Sequence, residues 1–246
     1  LYTRYYIPEG NTSPINQDLD LTYSKHFVLG YSHQLNKNFG IKAEAYYQDL
    51  TGIPIEMDSS AFSLTNAGRG FARVFPNALN NNGPGYNSGI ELTVQRYFNN
   101  TWHALFSGCL YNSQYTPSDG IERNTSFNGI YAANFLAGRE FEVGKNKVLG
   151  LGVKVTGAGG KRKQGEVIFL DEGFNEDKFK DYFRFDIKTT YKINKEKVTH
   201  EIGLDLVNLT GAQNILNYSY APNSTPELDD DVAVSYTHLT LPTMAI

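Results

Sequence analysis

The chain has a single cysteine, Cys109, among its 246 residues. One thiol excludes an internal disulfide framework and cannot by itself make a thiolate metal centre. Basic residues are not in excess either: 22 Lys and Arg against 26 Asp and Glu leave a formal charge of -4. The one basic cluster, Lys161, Arg162 and Lys163, sits in a Gly-rich stretch. The electrostatic footprint of a nucleic-acid binder is therefore missing. No run of about 18 apolar residues is present to form a spanning helix, and mean hydropathy is -0.41. Catalytic signatures are also absent. There is no Gly-x-Ser-x-Gly elbow, and the glycines of 150–152 and 157–160 lack the third glycine and following helix of a nucleotide loop. Small side chains and a flexible loop are the reading for those glycines. The five histidines include no His-x-His pair; His33, His103 and His200 each fall near a short turn on a different strand, and read as interfacial residues with a wet tip. The acidic run 227–231 lacks the interleaved ligands and turn glycine of a calcium loop. No catalytic, cofactor or metal-binding residues are assigned.

What the chain does contain is a side-chain period of two. In residues 41–48, Ile41, Ala43, Ala45 and Tyr47 alternate with Lys42, Glu44, Tyr46 and Gln48. Ile90, Leu92 and Val94 oppose Glu91, Thr93 and Gln95; Phe183, Phe185 and Ile187 oppose Arg184, Asp186 and Lys188. Val198, Ile202, Leu204 and Leu206 oppose Thr199, Glu201 and Asp205. Such alternation is imposed by a pleated strand and is incompatible with a helical repeat. With residues 24–35, 102–115, 129–143 and 148–156, the pattern predicts about eight strands. Their connections alternate between short (36–38, 99–100, 144–147, 194–197) and long (57–87, 116–128, 157–181, and the segment after Leu209). A water-soluble sheet with one face on a core would show the same alternation of faces. Sorted connections and strand length fit a transmembrane β-barrel instead, with tight turns at one rim and long loops at the other. The expected fold class is thus all-β, an antiparallel meander of a transmembrane barrel.

On that reading Phe27, Leu29, Ile41, Ala43, Ile90, Leu92, Leu149, Leu151, Phe183, Phe185, Ile202 and Leu204 face lipid. Lys42, Glu44, Glu91, Gln95, Lys154, Arg184, Asp186, Lys188, Glu201 and Asp205 face the lumen. The 17 Tyr and 15 Phe are many for this length and suit the aromatic girdles of such barrels, with Tyr97, Phe98 and Trp102 flanking one short turn. The long link 57–87 carries Arg69, Phe71, Arg73, Phe75 and Tyr86, side chains that suit an external ligand surface and equally suit packing of this loop onto the neighbouring loops.

Several segments carry a family likeness: 24–31 (Ser-Lys-His-Phe-Val-Leu-Gly-Tyr), 41–50 (Ile-Lys-Ala-Glu-Ala-Tyr-Tyr-Gln-Asp-Leu) with Ile53-Pro-Ile55, 87–94 (Asn-Ser-Gly-Ile-Glu-Leu-Thr-Val), 183–188 (Phe-Arg-Phe-Asp-Ile-Lys) and 204–210 (Leu-Asp-Leu-Val-Asn-Leu-Thr). In order and spacing they resemble the C-terminal barrel strands of TonB-dependent outer-membrane receptors, over about residues 1–220. The resemblance implies about 8 strands of a barrel of about 22, in the outer membrane of a Gram-negative bacterium. It implies surrounding lipid, a plug domain of the same full-length chain against the lumenal residues, and energised uptake through the TonB complex acting on that plug. The ligand would be a scarce small molecule such as an iron chelate, without enzymatic activity. Residues 1–233 are read as the barrel segment and 234–246, where the pattern stops, as a non-native tail like a translated sequencing adapter. The gene is then expected to extend upstream into the plug and a signal peptide, and downstream by one strand. Two alternatives stand beside this reading. One is a complete small barrel with a structural or adhesive role, closing residues 24–35 against 198–208. The other is an outer-membrane hydrolase, which would need a Ser, a His and an acid converging at one rim.

Overall fold

A computed structural model of the chain describes residues 2–67, 75–99, 101–163, 175–218 and 233–235. Arg69, Phe71, Arg73, the acidic run 227–231 and the tail from 236 onward lie outside the described residues. A helical turn, α1 (Tyr2–Tyr5), precedes β1 (Tyr23–Asn36), β2 (Phe39–Glu56), β3 (Leu79–Arg96), β4 (Trp102–Tyr115), β5 (Arg123–Asn124), β6 (Tyr131–Gly144), β7 (Lys147–Ala158), β8 (Tyr182–Asn194) and β9 (Thr199–Leu206). The eight long strands pair antiparallel in the order β1-β2-β3-β4-β6-β7-β8-β9, with β5 on the end of β4. A separate two-stranded piece joins β10 (Ile215–Tyr218) to β11 (Ala233–Ser235), so Val234 and Ser235 of the supposed tail are placed in a strand. Between β1 and β9 the only helical segment among the described residues is one 3-10 turn, Leu64–Asn66.

The all-β antiparallel meander is as expected from the period of two. The sheet is open. Among the described residues β1 pairs only with β2 and β9 only with β8. The closure of 24–35 against 198–208 that a complete small barrel requires is not formed.

The short links are built on asparagine. Two residues join β1 to β2, and the Asn36 side chain accepts the Asn38 N–H at 2.9 Å. Two residues also join β6 to β7, where Asn146 takes a φ of 62°. The Thr199 hydroxyl donates to the Asn194 side chain at 3.0 Å across the β8–β9 link. Asn tolerates the left-handed region and its side chain closes local turns, which is why it marks this rim.

The first long link is shorter than the sequence implies. β2 continues to Glu56 and β3 begins at Leu79, so 57–78 connects them and Tyr86 stands inside β3, not in a loop. Asn80, Asn81, Asn82, Gly83, Pro84 and Gly85 are turn formers in isolation, yet pairing of Gly85 with Leu50, Gly83 with Ile53 and Leu79 with Glu56 holds them extended. Gly83 is required there: a Cβ would stand 2.6 Å from the Ile53 carbonyl oxygen and from the Ile55 side chain.

Buried apolar residues gather at the long-link end. Ile53 and Ile55 end β2, Tyr115 ends β4, and Leu19, Phe62 and Leu79 cluster with Leu64 packed against them. Among the described residues the sheet faces carry no such core. Leu29 is 78% exposed and Ile202 68%, which for apolar side chains mid-strand means that the face lacks a second layer.

Candidate functional site

Residues directly opposite in an antiparallel pair share a face, so the register assigns every side chain. One row runs Tyr31, Ala43, Leu92, Gly108, Ala133, Gly157, Phe183; the next runs His33, Ile41, Val94, Phe106, Phe135, Val155, Phe185. Leu29 and Phe27 extend this face on β1, Leu149 and Leu151 on β7, and Ile202 and Leu204 on β9. The opposite face carries Ser32, Lys42, Thr93, Ser107, Asn134, Thr156 and Arg184 in one row, and Gln95, Leu105, Leu136, Lys154 and Asp186 in another. Glu44 stands opposite Glu91, Lys188 opposite Asp205 and Lys192 opposite Glu201. The apolar and polar sets read from the sequence therefore fall on two opposite faces of one sheet.

Charges on the polar face pair along and across strands. Lys42 lies 2.5 Å from Glu44, Arg184 3.0 Å from Asp186, Lys188 3.8 Å from Asp205, and Lys192 3.4 Å from Glu140 and 3.9 Å from Glu201. Glu44, Arg184, Asp186 and Lys192 have part-buried side chains and the other members of these pairs are more open, so each pair contributes on the order of 1 kcal/mol or less. Their consequence is orientation: a surface that covers this face meets a fixed charge pattern.

The apolar face is bounded at both ends by aromatic side chains. Toward the long links, Tyr47 and Tyr86 stack with centroids 6.0 Å apart, the Tyr86 hydroxyl bonds the Gln114 side chain, and the Tyr131 hydroxyl donates to Asp181 at 2.8 Å. Toward the short links, the Arg96 guanidinium lies 4.0 Å over the Trp102 ring and that of Arg139 4.9 Å over Phe141; Tyr97 and Phe98 stand exposed beside them. Tyr86 and Arg96 are ten positions apart on β3, as are Tyr131 and Phe141 on β6. At about 3.4 Å per residue and a tilt of about 40°, that spacing projects to roughly 26 Å.

The long links fold into a cap held by buried polar groups. Asn16, 2% exposed, donates to the Asn77 carbonyl at 3.1 Å and accepts the Leu79 N–H at 2.8 Å, which straps the segment before β1 across the β2–β3 link. The Tyr115 hydroxyl donates to the Ala61 carbonyl at 2.9 Å. Ser126 N–H donates to the Asn66 side chain at 2.8 Å, and Asn175 donates to the Asn124 carbonyl at 2.9 Å. Arg162 donates to the Asn128 carbonyl at 2.9 Å. Three links are thus laced together. A Cβ at Gly159 would overlap the Gly129 carbonyl and one at Gly160 the Phe179 carbonyl, so these glycines serve close backbone approach, not looseness.

Two cap carboxylates titrate low. Burial alone would raise Asp119, but the hydrogen bond from Arg123 at 2.8 Å, the Ile121 N–H and the guanidinium charge outweigh it and hold the carboxyl below its ordinary range. Asp181 is lowered by the Gly160 N–H at 3.0 Å and then by the Tyr131 hydroxyl.

Of the residues expected to meet a ligand, Phe75 is exposed in the 57–78 link with its ring 5.1 Å from Tyr6, and Tyr86 belongs to the aromatic boundary. Arg69, Phe71 and Arg73 lie outside the described residues. The histidines do not converge: His33 and His200 pair with Ile41 and Ile193 on the apolar face, while His103 pairs with Gly138 on the polar face. Among the described residues no group of three or more His, Cys, Asp or Glu could hold a metal ion. Sequence reading missed Asn16, Tyr115, Arg123, Asn128 and Asn175, whose only local signal is the density of Asn and Ser in the links. Comparison with protein-family models, curated proteins and solved structures returns no match.

Proposed function

We propose that this sheet is a wall segment of an outer-membrane β-barrel receptor of the TonB-dependent class, which takes up a scarce small ligand such as an iron chelate. The observation that carries the reading is the continuous apolar face across eight strands, uncovered and bounded by aromatic rows about one hydrocarbon thickness apart. The opposite face, with its paired charges, lines the lumen, where a plug domain acted on by the TonB complex would sit. The laced cap at the long-link end is the external surface, and its buried hydrogen bonds leave little ordering to be done when a ligand binds. Because an unpaired strand edge is not tolerated in lipid, β1 and β9 are met by further strands in the working barrel.

The test is to place basic residues on the two faces in the membrane-inserted protein. Leu92→Lys and Phe185→Lys put an ammonium into lipid at roughly 2–4 kcal/mol each and should deplete folded protein from the outer-membrane fraction. Gln95→Lys and Asp205→Asn should leave it largely intact. Equal loss on both faces, or wild-type protein in a soluble fraction, would overturn the proposal. Ligand-limited uptake assays on cells carrying Phe75→Ala then address the cap.

A further inference from the structure

We propose that the apolar face carries a site for one phospholipid with an anionic headgroup, its phosphate held between Arg96 and Arg139 and an acyl chain lying in a trough beside them. The inference rests on the reading of this face as lipid-facing, with the short links on the periplasmic side. Arg96 closes β3 and pairs with Ala104, which pairs in turn with Ala137, while Trp102 pairs with Arg139. Two guanidiniums thus share one face across the adjacent strands β3, β4 and β6, with two alanines between them as a floor. Both cations are stacked on rings: the Arg96 guanidinium lies 4.0 Å from the centroid of Trp102 and that of Arg139 4.9 Å from that of Phe141. Stacking fixes the plane of the guanidinium and leaves its N–H edge for a phosphate, which it can meet with two parallel hydrogen bonds. The Nε of Arg96 is covered and has no hydrogen-bond partner among the described residues, so water screens that cation poorly and an anion at its terminal nitrogens acts on it strongly. Neither guanidinium has an ion-pair partner among the described residues. The one carboxylate that the register puts on this face of the eight long strands is Asp49, at the far end across from Tyr86 and 4.0 Å from Lys25.

An arginine on a lipid-facing strand is costly at mid-membrane and nearly free at the interface, where headgroup phosphates lie. The four short links beside these arginines add Lys37, Lys145, Lys195 and Lys197 against Glu196 alone, so the rim is cationic and draws anionic lipid to it. From Ala104 and Ala137 the face runs on toward the long links as a concavity of about 650 Å³, with Leu92, Phe106, Gly108, Leu110, Tyr131 and Ala133 in its lining. Gly108 and Ala133 are cross-strand partners and keep it shallow at the middle. Phe106 stands two positions from Ala104 along β4, so the headgroup site and the trough are continuous. A free phosphate would use the arginines and ignore the trough; a lipid uses both. A zwitterionic headgroup would bring a further cation to a rim already in excess of them.

The experiment reconstitutes the intact membrane protein in phosphatidylcholine vesicles containing a minor share of phosphatidylglycerol, releases it into mild detergent and counts the retained lipid by native mass spectrometry. Phosphatidylglycerol should be held well above its share of the vesicle. Arg139→Gln should lower that retention about fivefold and Arg96→Gln by a similar factor. Arg139 is exposed, so its variant keeps the sheet and decides the matter even where Arg96→Gln fails to insert. Lys37→Gln with Lys195→Gln should leave the preference unchanged, and Ala133→Phe, which fills the trough, should reduce retention of both lipids alike. Retention in proportion to vesicle composition would overturn the proposal. So would an equal loss in the lysine variants, which would mark a diffuse attraction, or displacement of the lipid by millimolar inorganic phosphate, which would mark a site for free anions. The two readings fail separately: an outer-membrane protein with no phosphatidylglycerol preference sinks this inference alone, and one that holds the lipid but supports no energised uptake sinks the receptor assignment alone.

Discussion

Arg123 is 3% exposed and its charge is answered by Asp119, 17% exposed at the side chain, with N–O distances of 2.7 and 2.8 Å. Removing one partner of such a pair strands a buried charge, at about 3–5 kcal/mol. Asp119→Ala should therefore loosen the 116–130 link selectively, read as faster amide exchange there with the sheet unchanged; unchanged exchange would show the pair to be passive. The low titration of Asp119 and Asp181 fixes the sign with pH. Both are charged in the folded cap at pH values where the unfolded groups, near 3.8, begin to take up protons. Their contribution is complete above that value and is lost as pH falls through the depressed folded values. Protease resistance of the cap should hold from pH 7 to about pH 4 and fail below it, and a cap that weakened on raising the pH would contradict the assignment. None of this was legible in sequence. Asn16 and Leu79 are 63 positions apart and Ser126 and Asn66 60 apart, and a polar contact at that separation leaves no period in the chain.

Strands, by contrast, wrote themselves plainly. Alternation at 41–48 and 183–188 names both the strand and the face of each residue, because a pleat admits only one assignment once one face is apolar. It fails where a strand leaves the amphipathic zone. From Leu79 to Gly85 the chain is polar and Gly-rich, and its extended form comes from pairing with the end of β2, a tertiary effect that overrides local turn preference. That extension depends on Gly83. Gly83→Ala would force a methyl against the Ile53 backbone, a distortion of about 1–3 kcal/mol, and should expose the 57–78 link to proteases while leaving membrane insertion intact. If insertion failed instead, the β2–β3 extension would be part of the barrel's assembly rather than of its cap.

At the scale of the whole molecule the sheet has two faces that need different surroundings and two edges that need partners. Among the described residues β1, 14 residues long, has no partner on one side and β9, eight residues long, has none on the other. An amphipathic sheet that folds back on itself could bury its apolar face in a sandwich, but here Phe27, Ile90, Leu110 and Leu204 remain 56–64% exposed. Exposed apolar area of this extent and open edges of this length are each a route to association in water. Both routes act together in this chain, and they are relieved by different agents: detergent covers the face, whereas only further strands satisfy the edges. Residues 1–233 produced alone should sediment as large species in buffer. In detergent they should become smaller but remain self-associated through β1 and β9, with antiparallel strand content retained by circular dichroism or infrared spectroscopy. A monodisperse monomer in buffer would mean that the apolar face finds cover within the chain, and the membrane reading would fall with it.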